Sequence, residues 1–131
     1  MALIIWGAMV GVILLSFMVA SVLVEGRPPV EPGLARLLAL IATIQAAISV
    51  VASRHLPGLL KRRDPVTPDQ HALTRHIVAA GLCEASALFS VVAWLLTGNT
   101  WLLAPLALAQ VGLATCYPGN ERWASLGGSP R

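Results

Sequence analysis

Residues 75–97, RHIVAAGLCEASALFSVVAWLLT, form an apolar run interrupted by a single carboxylate, Glu84. A helix of about 20 consecutive apolar residues is long enough to cross a hydrocarbon core of about 30 Å. Beyond the polar turn Gly98-Asn99-Thr100 lies another apolar run, from Trp101 to Tyr117. It is close to the lower length limit for a span. Pro105 stands near its first turn, where a missing backbone donor costs least. In the other direction, residues 57–74 hold Lys61, Arg62, Arg63, Asp64 and Asp69 together with Pro57, Pro65 and Pro68. Pro57-Gly58 reads as the stop of the preceding run, 34–56. Residues 25–34, EGRPPVEPGL, are charged and rich in helix breakers. They separate 34–56 from a first run, 2–24, that carries no charge at all. That run lacks the basic start of a cleaved signal peptide and reads as a retained helix.

Composition agrees with four spans. The 131 residues are 56% hydrophobic and only 11% charged, against roughly 25% charged in an ordinary soluble domain. Too few charges are present to coat a water-soluble core. The formal net charge is +3, from nine basic and six acidic residues, and the basic residues cluster between apolar runs. That pattern fits a lipid surface and excludes nucleic acid as the expected partner. The two cysteines, Cys83 and Cys116, lie in or at the edge of apolar runs without metal-ligand spacing, so they read as small apolar fillers.

Basic residues near membrane-spanning ends stay in the cytoplasm. Lys61, Arg62 and Arg63, flanked by Arg54 and Arg75, therefore place the central loop inside. The expected fold is an all-α four-transmembrane-helix bundle, N-in/C-in. Residues 1–117 form the membrane domain, with spans at about 2–24, 34–56, 75–97 and 101–117, and residues 118–131 form a Gly/Ser/Pro-rich cytoplasmic tail. Trp94 and Trp101 bracket the outer turn, and Trp6, Tyr117 and Trp123 fall near the inner surface, as an aromatic belt requires. The expected location is a bacterial inner or plasma membrane.

Depth then singles out three residues. Glu84 follows Arg75 by nine positions, about 14 Å along a helix, which is near the midplane. An ionised carboxylate there costs about 2.5–3.5 kcal/mol on insertion scales, so an intramembrane carboxyl is a functional hypothesis by default. Gln45 and Gln110 reach comparable heights, about 15 Å and 11 Å from the cytoplasmic ends of their helices. The three side chains form either a proton or cation site or a polar contact that holds helices together. Depth alone leaves both open. His76 stands at the cytoplasmic mouth of the Glu84 helix and is a proton-entry candidate; the alternative is an interfacial histidine. Close helix packing is expected at the GxxxG pair Gly7 and Gly11, along Ala42 and Ala46, and around Gly81.

No Walker loop, GxSxG elbow or HExxH occurs, and the histidines have no zinc spacing. No catalytic residue, metal ligand or cofactor is therefore assigned, and the chain is not expected to be an enzyme. Residues 81–88, GLCEASAL, together with Arg63-Asp64-Pro65, resemble the central hairpin of the rotor subunit c family of ATP synthases. That family has a small-residue hairpin, a cytoplasmic Arg-polar-Pro loop and a carboxyl midway along its second helix. Glu84 follows Arg63 by 21 residues, close to the family's separation. The resemblance covers about residues 35–97. It implies that Glu84 carries a proton or sodium ion, with Gln45 as a ligand and with a stator or neighbouring subunit as partner. It does not extend to the four-span order, because the acidic residue sits in the third span and the family's glycine repeat is missing. Three functions follow: ion binding or hydrogen ion transport through Glu84; a structural or accessory subunit working with other membrane subunits or as a homo-oligomer; and a small proton-coupled carrier of organic cations.

Overall fold

The computed structural model describes residues 1–25, 30–60 and 67–127. Arg27, Lys61, Arg62 and the rotor-like element Arg63-Asp64-Pro65 lie outside the described residues, as does the chain from 128 onward. The described chain is helical: α1 spans Ala2–Val24, α2 Pro32–Leu59, α3 Pro68–Thr97, α4 Leu103–Thr115 and α5 Asn120–Ser125. A 3-10 turn, Thr100–Leu102, leads into α4. The helices α1, α2 and α3 are each long and apolar enough to cross a membrane. The fourth, α4, has 13 residues, about 20 Å, and is shorter than a usual span.

Local chemistry sets the helix ends. Thr67 and Gln70 form a reciprocal capping box, with Pro68 at the first helical position, so α3 starts seven residues before Arg75. At its other end Gly98 adopts φ +65° and donates its backbone N–H to the Trp94 carbonyl at 2.7 Å. Glycine tolerates that left-handed turn without a Cβ penalty. Pro57-Gly58 does not stop α2, contrary to the reading of the sequence: the helix runs through both to Leu59. Proline removes the N–H that would bond the Ser53 carbonyl. The Arg122 Nη2 atom donates to that carbonyl instead, at 3.4 Å.

The third helix is the hub. Half of its most apolar window is buried, against 11% for α1 and 17% for α2, so the other helices surround it. Its inward positions are mostly small: Ala79, Ala80, Cys83, Ser86, Ala87 and Ser90. Ala42 and Ala46 of α2 and Ala109 and Gly112 of α4 are buried as well. Small residues let helix backbones approach closely where no hydrophobic force drives association.

Aromatic contacts fix helix direction. Trp6 at the start of α1 meets Tyr117 beyond the end of α4, edge to face at 5.2 Å, and its Nε1–H donates to the Leu113 carbonyl at 2.9 Å. Phe17 stacks on Trp94 at 5.3 Å, near the C-terminal ends of α1 and α3. These two helices therefore run in the same direction, and α4 opposes them. Trp94 and Trp123 are buried in the protein, not spread at an interface, whereas Trp101 is 79% exposed. Trp6→Phe keeps the ring contact and removes the donor. It is expected to lower stability by about 1 kcal/mol, read as an earlier thermal midpoint in detergent.

Residues 118–127 are more than a tail. Trp123 of α5 is buried with Ala2, Ala72 and Leu126, which docks the short helix across the starts of α1 and α3. Arg75 fastens it: Nη1 donates to the Leu126 carbonyl at 3.3 Å and Nη2 to the Leu60 carbonyl at 2.7 Å. Both acceptors cap helix C-termini, where a cation is favoured. Arg75→Leu is expected to cost about 1.5–3 kcal/mol and to speed amide hydrogen exchange across 120–127. Exchange there at the unaltered rate would rule out the fastening role.

Candidate functional site

Glu84 lies near the middle of α3, 100° around the helix from buried Cys83. The exposed positions of α3 include Ile77, Ala85, Val92 and Leu96, so Glu84 stands at the border between the packed and open faces. It is half-buried and makes no hydrogen bond or ion pair among the described residues. Neither carboxyl oxygen is sealed from the outside of the bundle. The carboxyl is therefore partly accessible near the middle of α3.

The two glutamines sit on other helices, Gln45 on α2 and Gln110 on α4. Gln110 lines an apolar groove of about 430 Å³ between α1 and α4, beside Ile13, Phe17 and Leu106. Gln45 is half-buried on α2, and no hydrogen bond links any two of Gln45, Glu84 and Gln110. The three residues stand on α2, α3 and α4, and each is partly exposed.

His76 is not an interfacial residue. It is 1% exposed, and both ring nitrogens are sealed inside the protein, near the backbone of Ala2. Eight residues, about 12 Å of helix rise, separate it from Glu84. Of the small residues, Ala42 and Ala46 are in the core. At Gly7, Gly11 and Gly81 an added β-carbon would meet nothing within 4 Å. The GxxxG pair is thus unused within one chain.

A second polar group, not anticipated from the sequence, lies under α5. His76, Ser53, Cys83 and Cys116 are all buried there. The Cys83 and Cys116 thiols and the Ser53 hydroxyl are within side-chain interaction range of one another, and the Arg122 charge acts on His76 and on both sulfurs. Cys83 Sγ also lies 4.0 Å from the Ser49 carbonyl. Four separate segments supply this group, and their polar residues are scattered through apolar runs. The only hint in the sequence is an arginine, Arg122, close after the last run.

Among the described residues no three His, Cys, Asp or Glu side chains cluster as metal ligands. Comparison with protein-family profiles, with curated proteins and with solved structures yields no match.

Proposed function

We propose that this chain is an integral membrane protein of four spans, with both termini cytoplasmic, whose Glu84 takes up and releases a proton or small cation. The observation that carries the reading is the half-buried carboxyl near the middle of α3, with no partner among the described residues. A carboxyl kept only as glue between helices would be bonded to a neighbouring helix. A carboxyl that loads an ion needs an open approach, and a polar residue in the membrane without a structural partner is more readily explained by function than by packing. The positive-inside rule, applied to Lys61, Arg62 and Arg63, supports the orientation. The likeness of the central hairpin to rotor subunit c supports the ion-carrying role and a neighbouring membrane subunit or second copy as the partner.

A lipid-soluble carbodiimide tests this directly. Such a reagent adds to a protonated carboxyl in an apolar setting and leaves a stable acylurea. One adduct per chain is expected, mapping to Glu84 and absent from Glu84→Gln. Raising the pH should slow labelling if the ion is a proton, and added sodium should slow it if the ion is sodium. A protein in lipid that gains no adduct at Glu84 would refute the reading.

The accessory-subunit reading rests on a different observation, the outward-facing Gly7 and Gly11 with open space before them. A partner helix would fit there. Loss of co-purifying subunits in Gly7→Leu, with Glu84→Gln still assembled, would favour it.

A further inference from the structure

We propose that Cys83 and Cys116 are a redox-active dithiol, converted by a small peroxide into a disulfide that ties α3 to the end of α4. The inference stands apart from the role of Glu84. Its basis is the place where the two helices come closest. Gly112 is buried on α4, and a β-carbon there would lie 2.9 Å from Cys83 Sγ and 3.8 Å from Cys83 Cβ. The α4 backbone therefore lies directly against Cys83. Cys116 follows Gly112 by four residues, one helical turn along the same face. Both cysteines are free and fully buried. Cys116 is the residue that caps α4. A disulfide needs β-carbons about 3.5–4.5 Å apart, so the bond would draw Cys116 and Cys83 together across the α3–α4 contact.

The surroundings differ from those of a cysteine that only fills space. The Ser53 hydroxyl and the Arg122 charge reach both sulfurs. Cys116, the residue at the end of α4, reacts first. Its thiolate attacks one oxygen of hydrogen peroxide; an S–O bond forms, the O–O bond breaks, and the departing hydroxide takes up the thiol proton as water. The Cys83 sulfur then attacks the sulfenic sulfur. An S–S bond forms, the S–OH bond breaks, and hydroxide leaves with the Cys83 proton as a second water. Two thiols give up two electrons, and one peroxide becomes two waters. A dithiol reductant reverses the reaction by exchange.

The test uses the full chain in lipid nanodiscs with equimolar hydrogen peroxide, followed by thiol titration and intact mass under non-reducing conditions. Both thiols should disappear together. The monomer should lose the mass of two hydrogens, and a digest should contain the linked Cys83 and Cys116 peptides, separable by reductant. In Cys83→Ser, Cys116 should stop at the sulfenic acid and be trapped by a cyclic diketone. Circular dichroism shows whether each sample remains folded. Two thiols that persist in the folded protein, a disulfide that joins separate chains, or one that forms only after unfolding would each overturn the proposal.

Discussion

Glu84→Gln is expected to reduce proton or cation flux through proteoliposomes to the level of protein-free vesicles, with protein abundance and helicity unchanged. The amide keeps the shape of the carboxyl and removes its ability to gain and lose a proton. Nothing among the described residues bonds to Glu84, so the substitution breaks no contact. It also removes an ionisable group from the middle of an apolar helix, which makes insertion more favourable by up to about 3 kcal/mol. Activity and stability should therefore move in opposite directions. A residue that served only to hold helices together would not separate the two in this way. Glu84→Asp draws the carboxyl back by one methylene and should retain part of the flux. Flux in Glu84→Gln equal to that of the unaltered protein, at matched reconstitution, would end the transport role.

The largest effect on folding is expected at Gly112. A β-carbon there would lie 2.8 Å from Val50 Cγ2 and 2.9 Å from Cys83 Sγ. Neither neighbour yields easily. Valine is branched at its β-carbon and stiff in a helix, and the cysteine side chain is too short to swing away. Gly112→Ala should cost about 1–3 kcal/mol through overpacking, and Gly112→Leu should prevent α2, α3 and α4 from closing. Gly7→Ala, Gly11→Ala and Gly81→Ala serve as controls. Each adds its methyl to open space and should gain up to about 1 kcal/mol of helix propensity. Denaturant titration in mixed micelles reads the whole series. Equal stabilities for the Gly112 and Gly7 variants would show that α4 does not pack as described.

These two positions show how far the sequence could be read. Glu84 was recognisable because charge is rare in a long apolar run and its height follows from the rise per residue. Gly112 was not, since one glycine among many small apolar residues has no local mark. The capping box of Thr67 and Gln70 is written in the sequence, but Pro65 and Pro68 on either side of Thr67 give the stretch the look of a loop. The continuation of α2 through Pro57 was not readable locally, because the group that satisfies the freed Ser53 carbonyl is Arg122, from the far end of the chain.

By itself the sequence determined an all-helical chain of long apolar runs, read as four spans, of which three form helices long enough to cross a bilayer, and it determined the depth of each polar residue along its own helix. Both follow from the length of the apolar runs and the fixed rise of the helix. Only the tertiary structure decided which way each residue faces. It left Glu84, Gln45 and Gln110 without a hydrogen bond between them, buried His76, and brought Cys83, Cys116 and Ser53 together beneath α5. The physical reason is that azimuth around a bundle is set by which small residues let which backbones approach. That is a property of helix pairs, not of any one helix.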